Sequence, residues 1–229
     1  MCGRYLLISP VEAMRRFFDV GGLLNLPPRY NIAPTQDAPV LRLDKSGNRE
    51  LMQMRWGLVP LWAKDLSGGA RCINARSETV ATNSTFRDAF LRRRCLIPSD
   101  GFFEWEKKGK VRQPWWIGPA EGGLMALAGV WERWRNPEGG VVRTYAVITT
   151  AANEMVSRLH DRMPVVVPPE DFAVWLDPET TPDRLKAIMR PYPSERMRAH
   201  PVSRRLNDVR NDDEECIAPE PEERQGALL

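Results

Sequence analysis

RCLIPSDGFFEWE, residues 94–106, contains two short runs, 94–97 and 101–106, that are rich in apolar and aromatic residues. Runs of this length and composition, bounded by Gly, Pro, Ser or Asp, are typical of β-strands. Similar runs precede and follow this stretch, at 2–8, 38–43, 50–56, 113–117, 124–132 and 142–149. Turn-forming residues separate several of them, at 45–48, 108–109 and 136–140. The spacing predicts a mostly antiparallel sheet through the middle of the chain.

Helical patterns lie mainly outside this central series of strands. Ser9-Pro10-Val11-Glu12 is typical of a capping box, and it precedes an apolar stripe that ends at Phe18. Further helices are predicted at 84–92, 152–159, 168–176 and 181–190. We therefore expect an α+β fold, a single domain over 1–210 with a barrel-like β core flanked by short helices. The proline-broken stretch 26–36 is expected to be an ordered loop, and 211–229 an acidic, mobile tail.

The charge of the chain is unevenly distributed. The net charge is +3, but residues 1–210 hold 32 basic and 23 acidic residues, whereas 211–229 hold seven acids and one arginine. Arginine greatly outnumbers lysine, and guanidinium groups bind phosphate and stack on bases. An arginine- and tryptophan-rich surface suits single-stranded nucleic acid. A GC-rich genome would produce the same composition, so composition alone leaves both explanations open.

Several classes of protein and site are not favoured. No uninterrupted apolar run is long enough for a membrane span, and the N-terminus does not resemble a secretory signal. The four cysteines form no CxxC pair and there are only two histidines, so we expect no metal site and no cofactor. Free thiols fit a reducing cytoplasm. The expected protein is cytoplasmic and monomeric.

Cys2 carries two nucleophiles once Met1 is removed, as is usual before a small residue. The α-amine and the thiol then lie on adjacent carbons and ionise not far above neutral pH. An aldehyde would form an imine with the amine, and the thiol would then close a five-membered thiazolidine in an intramolecular step. The alternative is that Cys2 is an accidental or merely buried small residue.

Eight segments in order resemble the SOS response-associated peptidase family, whose members are also described as abasic-site processing proteins. The segments are MCGRY, YNIAPTQ (30–36), RWGLVPLWAKD (55–65), INARSET (73–79), RCLIPSDGFFEWEK (94–107), HDRMPVVV (160–167), HPVS (200–203) and VRNDDEEC (209–216). The resemblance implies a domain that binds single-stranded DNA and links its N-terminal cysteine to ring-opened abasic sites. The adduct would shield the lesion from strand cleavage. The family name also implies a self-processing peptidase activity that removes Met1.

Three further residues receive catalytic roles from this resemblance. Asn74 would hydrogen-bond the adduct through its amide, unless it is a turn asparagine. Glu104 would relay protons during imine formation, as a general acid/base. Strand alternation puts Glu106 on the same face, and only the family motif selects Glu104. His160 would protonate the sugar oxygen as the ring opens to the aldehyde.

The resemblance also assigns the contacts that hold DNA. Arg4 and Arg76 lie two residues after Cys2 and Asn74, so strand alternation should point both into one groove. The resemblance makes them phosphate contacts, with Arg162 as a third. Trp62 and Trp105 are candidates to stack on bases beside the lesion, although most of the eight tryptophans must fill the core.

Two alternatives from other classes compete with this interpretation. An N-terminal-nucleophile amidohydrolase or peptidase would use Cys2 as a thiolate with its own amine as base. The chain lacks the Asn-Gly-Glu or Asn-Gly-Asp segment expected beside such a nucleophile. A non-covalent module for single-stranded DNA would show the same basic, tryptophan-rich surface and would function without Cys2.

Overall fold

Thirteen strands and five α-helices are present in the part of the chain that the computed structural model describes, residues 2–21, 26–136 and 138–220. The strands are β1 (Tyr5–Leu7), β2 (Arg29–Ile32), β3 (Asp37–Leu43), β4 (Arg49–Trp56), β5 (Asn74–Arg76), β6 (Arg94–Ser99), β7 (Gly101–Lys108), β8 (Val111–Pro119), β9 (Met125–Arg135), β10 (Val141–Ala151), β11 (Arg162–Pro164), β12 (Val166–Val167) and β13 (Met197–Pro201). The helices are α1 (Val11–Phe18), α2 (Arg87–Arg92), α3 (Glu154–Ser157), α4 (Phe172–Leu176) and α5 (Pro182–Ile188). Among the described residues, no helix is both long and apolar enough to cross a bilayer.

Five strands close into a barrel. The hydrogen-bonded order is β10-β4-β3-β6-β9, and β9 pairs with β10 again, so that the ring is complete. All of these neighbours are antiparallel except β10 and β4, which run parallel. Gly129 on β9 allows the strands to pack closely, because a Cβ atom there would lie 2.4 Å from the end of the Ile97 side chain and 3.0 Å from the Ala146 carbonyl oxygen. The predicted α+β fold with a mostly antiparallel, barrel-like core is therefore confirmed.

A second sheet places the N-terminus. Its order is β13-β8-β7-β1-β2, and all neighbours are antiparallel. Tyr5 lies opposite Phe102, and the Phe103 N–H donates to the carbonyl of Arg4 at 3.0 Å. Continuing this register towards the N-terminus brings residues 2 and 3 alongside Glu104. The register of β1 against β7 is thus what places the start of the chain beside a carboxylate.

The predicted capping box at Ser9 is wrong. Helix α1 has Pro10 as its N-cap, and no side chain caps it. The Ser9 hydroxyl instead donates to Asp100 at 2.5 Å, and the backbone N–H groups of Ile8 and Ser9 donate to the same carboxylate. A buried carboxylate that accepts several donors competes successfully for the serine. The apolar stripe of α1 is nevertheless buried, with Met14 and Phe18 fully inside the core.

The predicted loop at 26–36 contains a strand. Residues Arg29–Ile32 form β2 and pair with β1, since the prolines flank this segment without interrupting it. The outer N–H groups of Tyr30 and Asn31 donate to the Asp212 carboxylate at 2.5 and 2.9 Å. A side chain 181 and 182 residues away in sequence therefore provides the acceptor for these N–H groups of β2, which no local pattern could reveal.

The segment 204–217, here called the C-terminal strap, packs on β2 and β8. Asn31 is fully buried, and its amide nitrogen lies within 3.2 Å of the carbonyl oxygens of Leu206, Asp208 and Asn211. Cys216 is also fully buried. The expected mobile tail is therefore wrong for 211–220, because these residues supply hydrogen bonds and core contacts to the domain. Its remainder, 221–229, lies outside the described residues.

The Asp212→Ala variant should lose stability. The change leaves two strand N–H groups without their acceptor and removes the ion pair with Arg29. We expect the free energy of unfolding to fall by about 2–3 kcal/mol, measured by chemical denaturation. The exposed Glu179→Ala variant is the control and should change it by less than about 0.5 kcal/mol. An equally small effect at both positions would show that the strap contributes little.

Candidate active site

Cys2 is completely buried at the start of β1. Its Sγ lies 3.9 Å from the carbonyl oxygen of Arg4, and its own carbonyl accepts a 2.8 Å hydrogen bond from the Asn74 amide. Burial raises the pKa of the Cys2 thiol well above its ordinary range, and the negative charge of Glu104 raises it further. The thiol is therefore protonated at neutral pH and needs a base before it can attack.

Asn74 reaches Cys2 because of the way β5 lies on the barrel. Strand β5 runs parallel to β10, with Asn74 opposite Val147 and Arg76 opposite Thr149. Ala75, between them, is buried, so Asn74 and Arg76 project to the other side. Asn74 is half-buried and Arg76 exposed. One strand thus supplies an amide that holds Cys2 and a cation at the rim of the site.

Glu104 is buried in the middle of β7, only 3% exposed. Burial raises the pKa of its carboxyl to about 7, and the charge of Asp161 contributes to the rise. A carboxyl with this pKa can both accept and donate a proton at neutral pH. Glu106, two residues further, is half-buried and accepts a 3.1 Å hydrogen bond from the Trp115 indole. Of the two glutamates, it is Glu104 whose charge acts on the Cys2 thiol.

His160 lies between α3 and β11, next to Asp161. Its Nδ1 accepts the backbone N–H of Arg162 at 2.9 Å, a bond that favours the tautomer with the ring proton on Nε2. The Asp161 carboxylate is 2.8 Å from the same Nδ1, but it is 86% exposed and water screens its charge. Burial prevails and lowers the pKa of His160. The imidazole is therefore a neutral donor through Nε2 at neutral pH.

Arg4 and Trp105 line a cleft of about 490 Å³ beside the N-terminus. Arg4 donates to the Asn31 side chain at 2.8 Å and to the Leu206 carbonyl at 3.1 Å, and its guanidinium lies 5.8 Å from the Trp105 ring centroid. The Trp105 indole donates to Asn207 at 2.7 Å. The other residues of the cleft are Gly3, Lys110 and Arg112. An arginine held over an aromatic ring, with two exposed cations nearby, suits a nucleotide.

Lys110, Arg112 and Asn207 are cleft residues that the sequence analysis did not identify. The first two follow the predicted turn at 108–109, and the hairpin register places Arg112 opposite Lys107. Extending the Trp105 prediction across that hairpin could have found them. Asn207 comes from the C-terminal strap, and no signal in the sequence connects it with Trp105.

The other two predicted DNA contacts, Trp62 and Arg162, differ in solvent exposure and in their contacts within the protein. Trp62 is 69% exposed, which is unusual for an indole and leaves its ring open to a ligand. Arg162 is mostly buried; it forms two hydrogen bonds with Glu78, at 2.6 and 2.9 Å, and donates to the Thr149 carbonyl. A phosphate that reached Arg162 would therefore compete with Glu78, an acidic residue that the sequence analysis did not identify.

The described residues bring Cys2, Asn74 and Glu104 together. His160 contacts Asp161, and the negative charge of Asp161 raises the pKa of Glu104. Nowhere among them do three His, Cys, Asp or Glu side chains form a cluster that could hold a metal ion. The arrangement provides a buried thiol, a carboxyl that exchanges protons near neutral pH and a neutral imidazole donor. This set suits acid/base-assisted addition to an electrophile such as an aldehyde.

Comparisons with known proteins agree on one family. The family model described as SOS response associated peptidase (SRAP) matches residues 1–209. The chain is 39% identical over 222 residues to the abasic site processing protein YoqW of Bacillus subtilis (strain 168), covering 95% of this chain and 99% of that protein. It is 36% identical over 262 residues to the abasic site processing protein HMCES of Gallus gallus, covering 96% of this chain and 78% of that protein.

Solved structures show the same fold. A protein from Bacteroides thetaiotaomicron superposes with a TM-score of 0.87 at 22% identity, covering 96% of this chain and all of that chain. A protein from Bordetella bronchiseptica superposes with a TM-score of 0.77 at 26% identity, covering 88% of this chain and all of that chain. Sequence and fold therefore place this chain in the SOS response associated peptidase (SRAP) family.

Proposed function

We propose that the chain processes abasic sites in DNA by a covalent reaction of Cys2. After removal of Met1, the amine and thiol of Cys2 would capture the aldehyde of a ring-opened abasic site in single-stranded DNA as a thiazolidine. The observation that carries this proposal is the position of Cys2, buried against Glu104 and held by Asn74. The names of the relatives, abasic site processing proteins, support the same substrate.

The chemistry balances with the loss of one water. The Cys2 amine adds to the C1′ aldehyde carbon, and the resulting carbinolamine loses water to give an imine. The Sγ then adds to the imine carbon, its proton leaves, and the nitrogen gains a proton. Glu104, with a pKa of about 7, can protonate the departing hydroxyl and then accept the thiol proton. Because the thiol is not ionised in the buried site, this second transfer needs such a base.

His160 and Asn74 have separate roles in this proposal. The closed sugar must open before the aldehyde exists, and the Nε2–H of a neutral His160 can donate to the ring oxygen as it opens. Asn74 holds the backbone of Cys2 through a 2.8 Å hydrogen bond and so fixes where the amine and thiol meet the aldehyde. Asn74 thus positions the nucleophile, and His160 helps to open the sugar to the reactive aldehyde.

The surface around the site offers contacts of the kind that single-stranded DNA requires. Arg4 and Trp105 form one edge of the 490 Å³ cleft, and Arg76 and Trp62 are exposed. Arginines contact phosphates without sequence preference, and indole rings stack on any base. Arg162 would join them where a phosphate displaces Glu78. Abasic sites occur in every sequence context, so binding without sequence preference is what this function needs.

The pKa of Cys2 weighs against the hydrolase alternative. A nucleophilic cysteine of an amidohydrolase or peptidase acts as a thiolate, which requires a lowered thiol pKa. Here burial and Glu104 raise the pKa of Cys2. Strand cleavage is compatible with the proposal, because the imine permits β-elimination whenever the thiol fails to close the ring.

Intact-mass analysis tests the proposal directly. The protein is mixed with a single-stranded oligonucleotide that carries one abasic site, and the products are separated on a denaturing gel. We expect a heat-stable species with the mass of the protein lacking Met1 plus the DNA, minus one water. The matched control is the same oligonucleotide with a tetrahydrofuran residue, which has no aldehyde and should give no adduct. Adduct formation with tetrahydrofuran, or none with either strand, would contradict the proposal.

A further inference from the structure

Two adjacent clefts away from Cys2 form a basic surface on the barrel. The first, about 470 Å³, is lined by Leu61, Arg93, Trp131, Glu132, Arg133 and Arg135. The second, about 270 Å³, contains Asp44, Lys45 and Arg92 and shares Arg93 and Trp131 with the first. We call these residues together the Trp131 channel. Because the two clefts share an arginine and an indole, they are adjacent on the surface.

The channel carries an excess of positive charge. Lys45, Arg92, Arg133 and Arg135 are exposed, and Arg93 is half-buried in an ion pair with Glu132 at 2.7 Å. The other carboxylate of the channel, Asp44, accepts the backbone N–H groups of its own turn, at Ser46 and Asn48. Both acids are therefore engaged within the protein, and the exposed cations face solvent together.

Alternation along β9 creates the channel wall. Arg133 and Arg135 are exposed and Trp131, on the same face, is partly buried against the core, whereas Glu132 and Trp134 between them are buried. The guanidinium of Arg42 lies 4.8 Å from the Trp131 ring centroid and is itself held by Glu50. The indole is thus fixed in place among cations, the combination that stacks on a base while arginines hold the adjacent phosphates.

The channel begins next to the proposed DNA surface. Leu61 lines the channel and is 58% exposed, and its neighbour Trp62 is 69% exposed. The Trp134 indole donates to the Ala63 carbonyl at 2.8 Å and so ties the loop that carries Leu61 and Trp62 to β9. A strand that stacks on Trp62 can therefore continue over Leu61 towards Trp131.

We infer that the Trp131 channel is a second, non-covalent binding segment for the single strand that flanks the abasic site on one side. The inference rests on the proposed function, since it takes the strand to be the one whose lesion lies at Cys2. Single-stranded DNA is the favoured occupant because the channel alternates cations with one fixed indole, and its two clefts each have room for about one nucleotide. The channel lengthens the footprint of the protein on the strand.

The Arg133→Gln/Arg135→Gln double variant tests the channel without disturbing the core, because both side chains are exposed. Binding is measured with undamaged-backbone strands that carry tetrahydrofuran, either short or extended on the 5′ or the 3′ side. We expect the strand extended on one of the two sides to bind about tenfold more weakly. The slope of its log binding constant against log salt concentration should decrease in magnitude by about 1.4, the value for two lost phosphate contacts. Binding of the short strand should change less than about twofold.

A matched pair of arginines controls for net charge. Arg16→Gln/Arg196→Gln removes two exposed cations that line neither cleft, and it should leave the salt slope unchanged. Equal losses in both double variants, or no dependence on strand extension, would overturn the inference. Adduct formation with a short abasic strand is measured in parallel. Its absence in the wild type would refute the proposed function, whereas the salt slope decides the channel separately.

Discussion

Replacing Cys2 with serine is expected to abolish the heat-stable adduct and to leave an imine that only reduction can trap. The Cys2→Ser variant keeps the α-amine, so it can still condense with the aldehyde of an abasic site. A hydroxyl is a far weaker nucleophile than sulfur and does not close the ring to a comparable extent, although it occupies the same position. We expect the yield of heat-stable adduct to fall by about 100-fold or more, since the favourable intramolecular step is lost.

Borohydride distinguishes the two stages of this reaction. Added during incubation, it should convert the imine of the Cys2→Ser variant into a stable amine and restore a species of covalent mass. Without borohydride, the same variant should cleave the strand more than the wild type does, because the imine survives long enough for β-elimination. Cys72→Ser, at a half-buried cysteine, is the control and should form the adduct normally. A heat-stable adduct at wild-type yield from Cys2→Ser would rule out the thiazolidine.

Local patterns predicted the elements whose partners are near in sequence. The runs around 94–106 became β6 and β7, and the turn at 108–109 joins β7 to β8 as expected. Closing the barrel, however, depends on the parallel pairing of β10 with β4, which begins at Thr144 and Arg55. Pairing between segments so far apart leaves no periodic signal in either of them. The strand order therefore had to come from the structure.

The candidate site likewise combines residues that motifs identified with contacts that only long-range strand pairing explains. Motif resemblance selected Asn74 and Glu104, but the reason that they meet Cys2 is the register of β1 on β7 and of β5 on β10. The acceptor of Ser9 could not be predicted because Asp100 lies 91 residues away. Asp212 was assigned to a mobile tail on composition, whereas the structure uses its carboxylate to cap the edge of β2. The distribution of charged residues along a sequence does not show which of them form hydrogen bonds or ion pairs in the folded protein.

Glu104→Gln should slow adduct formation while making the protein more stable at alkaline pH. A glutamine has nearly the same shape and can neither accept nor donate a proton, so the amine and thiol steps lose their acid/base. We expect the rate at pH 7 to fall by about 100- to 10,000-fold. The wild-type rate should change with pH around 7, where Glu104 titrates, and the variant should keep only the dependence that comes from the α-amine of Cys2. Rates are followed on denaturing gels from pH 5 to about 9.

The effect on stability has the opposite sign, because burial raises the pKa of Glu104 from 4.5 to about 7 in the folded chain. A raised carboxyl pKa contributes stability that is fully present below about pH 4.5, where both states bind the proton. That stability falls as the pH rises and is lost above about pH 7, where the folded state must also ionise a buried group. The difference corresponds to about 3 kcal/mol.

Glu104→Gln resembles the protonated carboxyl at every pH, so it should escape this loss. Denaturation at pH 5 and at pH 9 should show that the wild type loses about 2.5 kcal/mol more than the variant over this range, since a small part of the loss has already occurred at pH 5. Glu106→Gln is the matched control, since its side chain is half-buried and keeps an acceptor for the Trp115 indole. It should neither gain stability at pH 9 nor lose the adduct. If Glu104→Gln reacted slowly but was no more stable than the wild type at pH 9, ionisation of the Glu104 carboxyl would not destabilise the folded protein, and its pKa would not be raised.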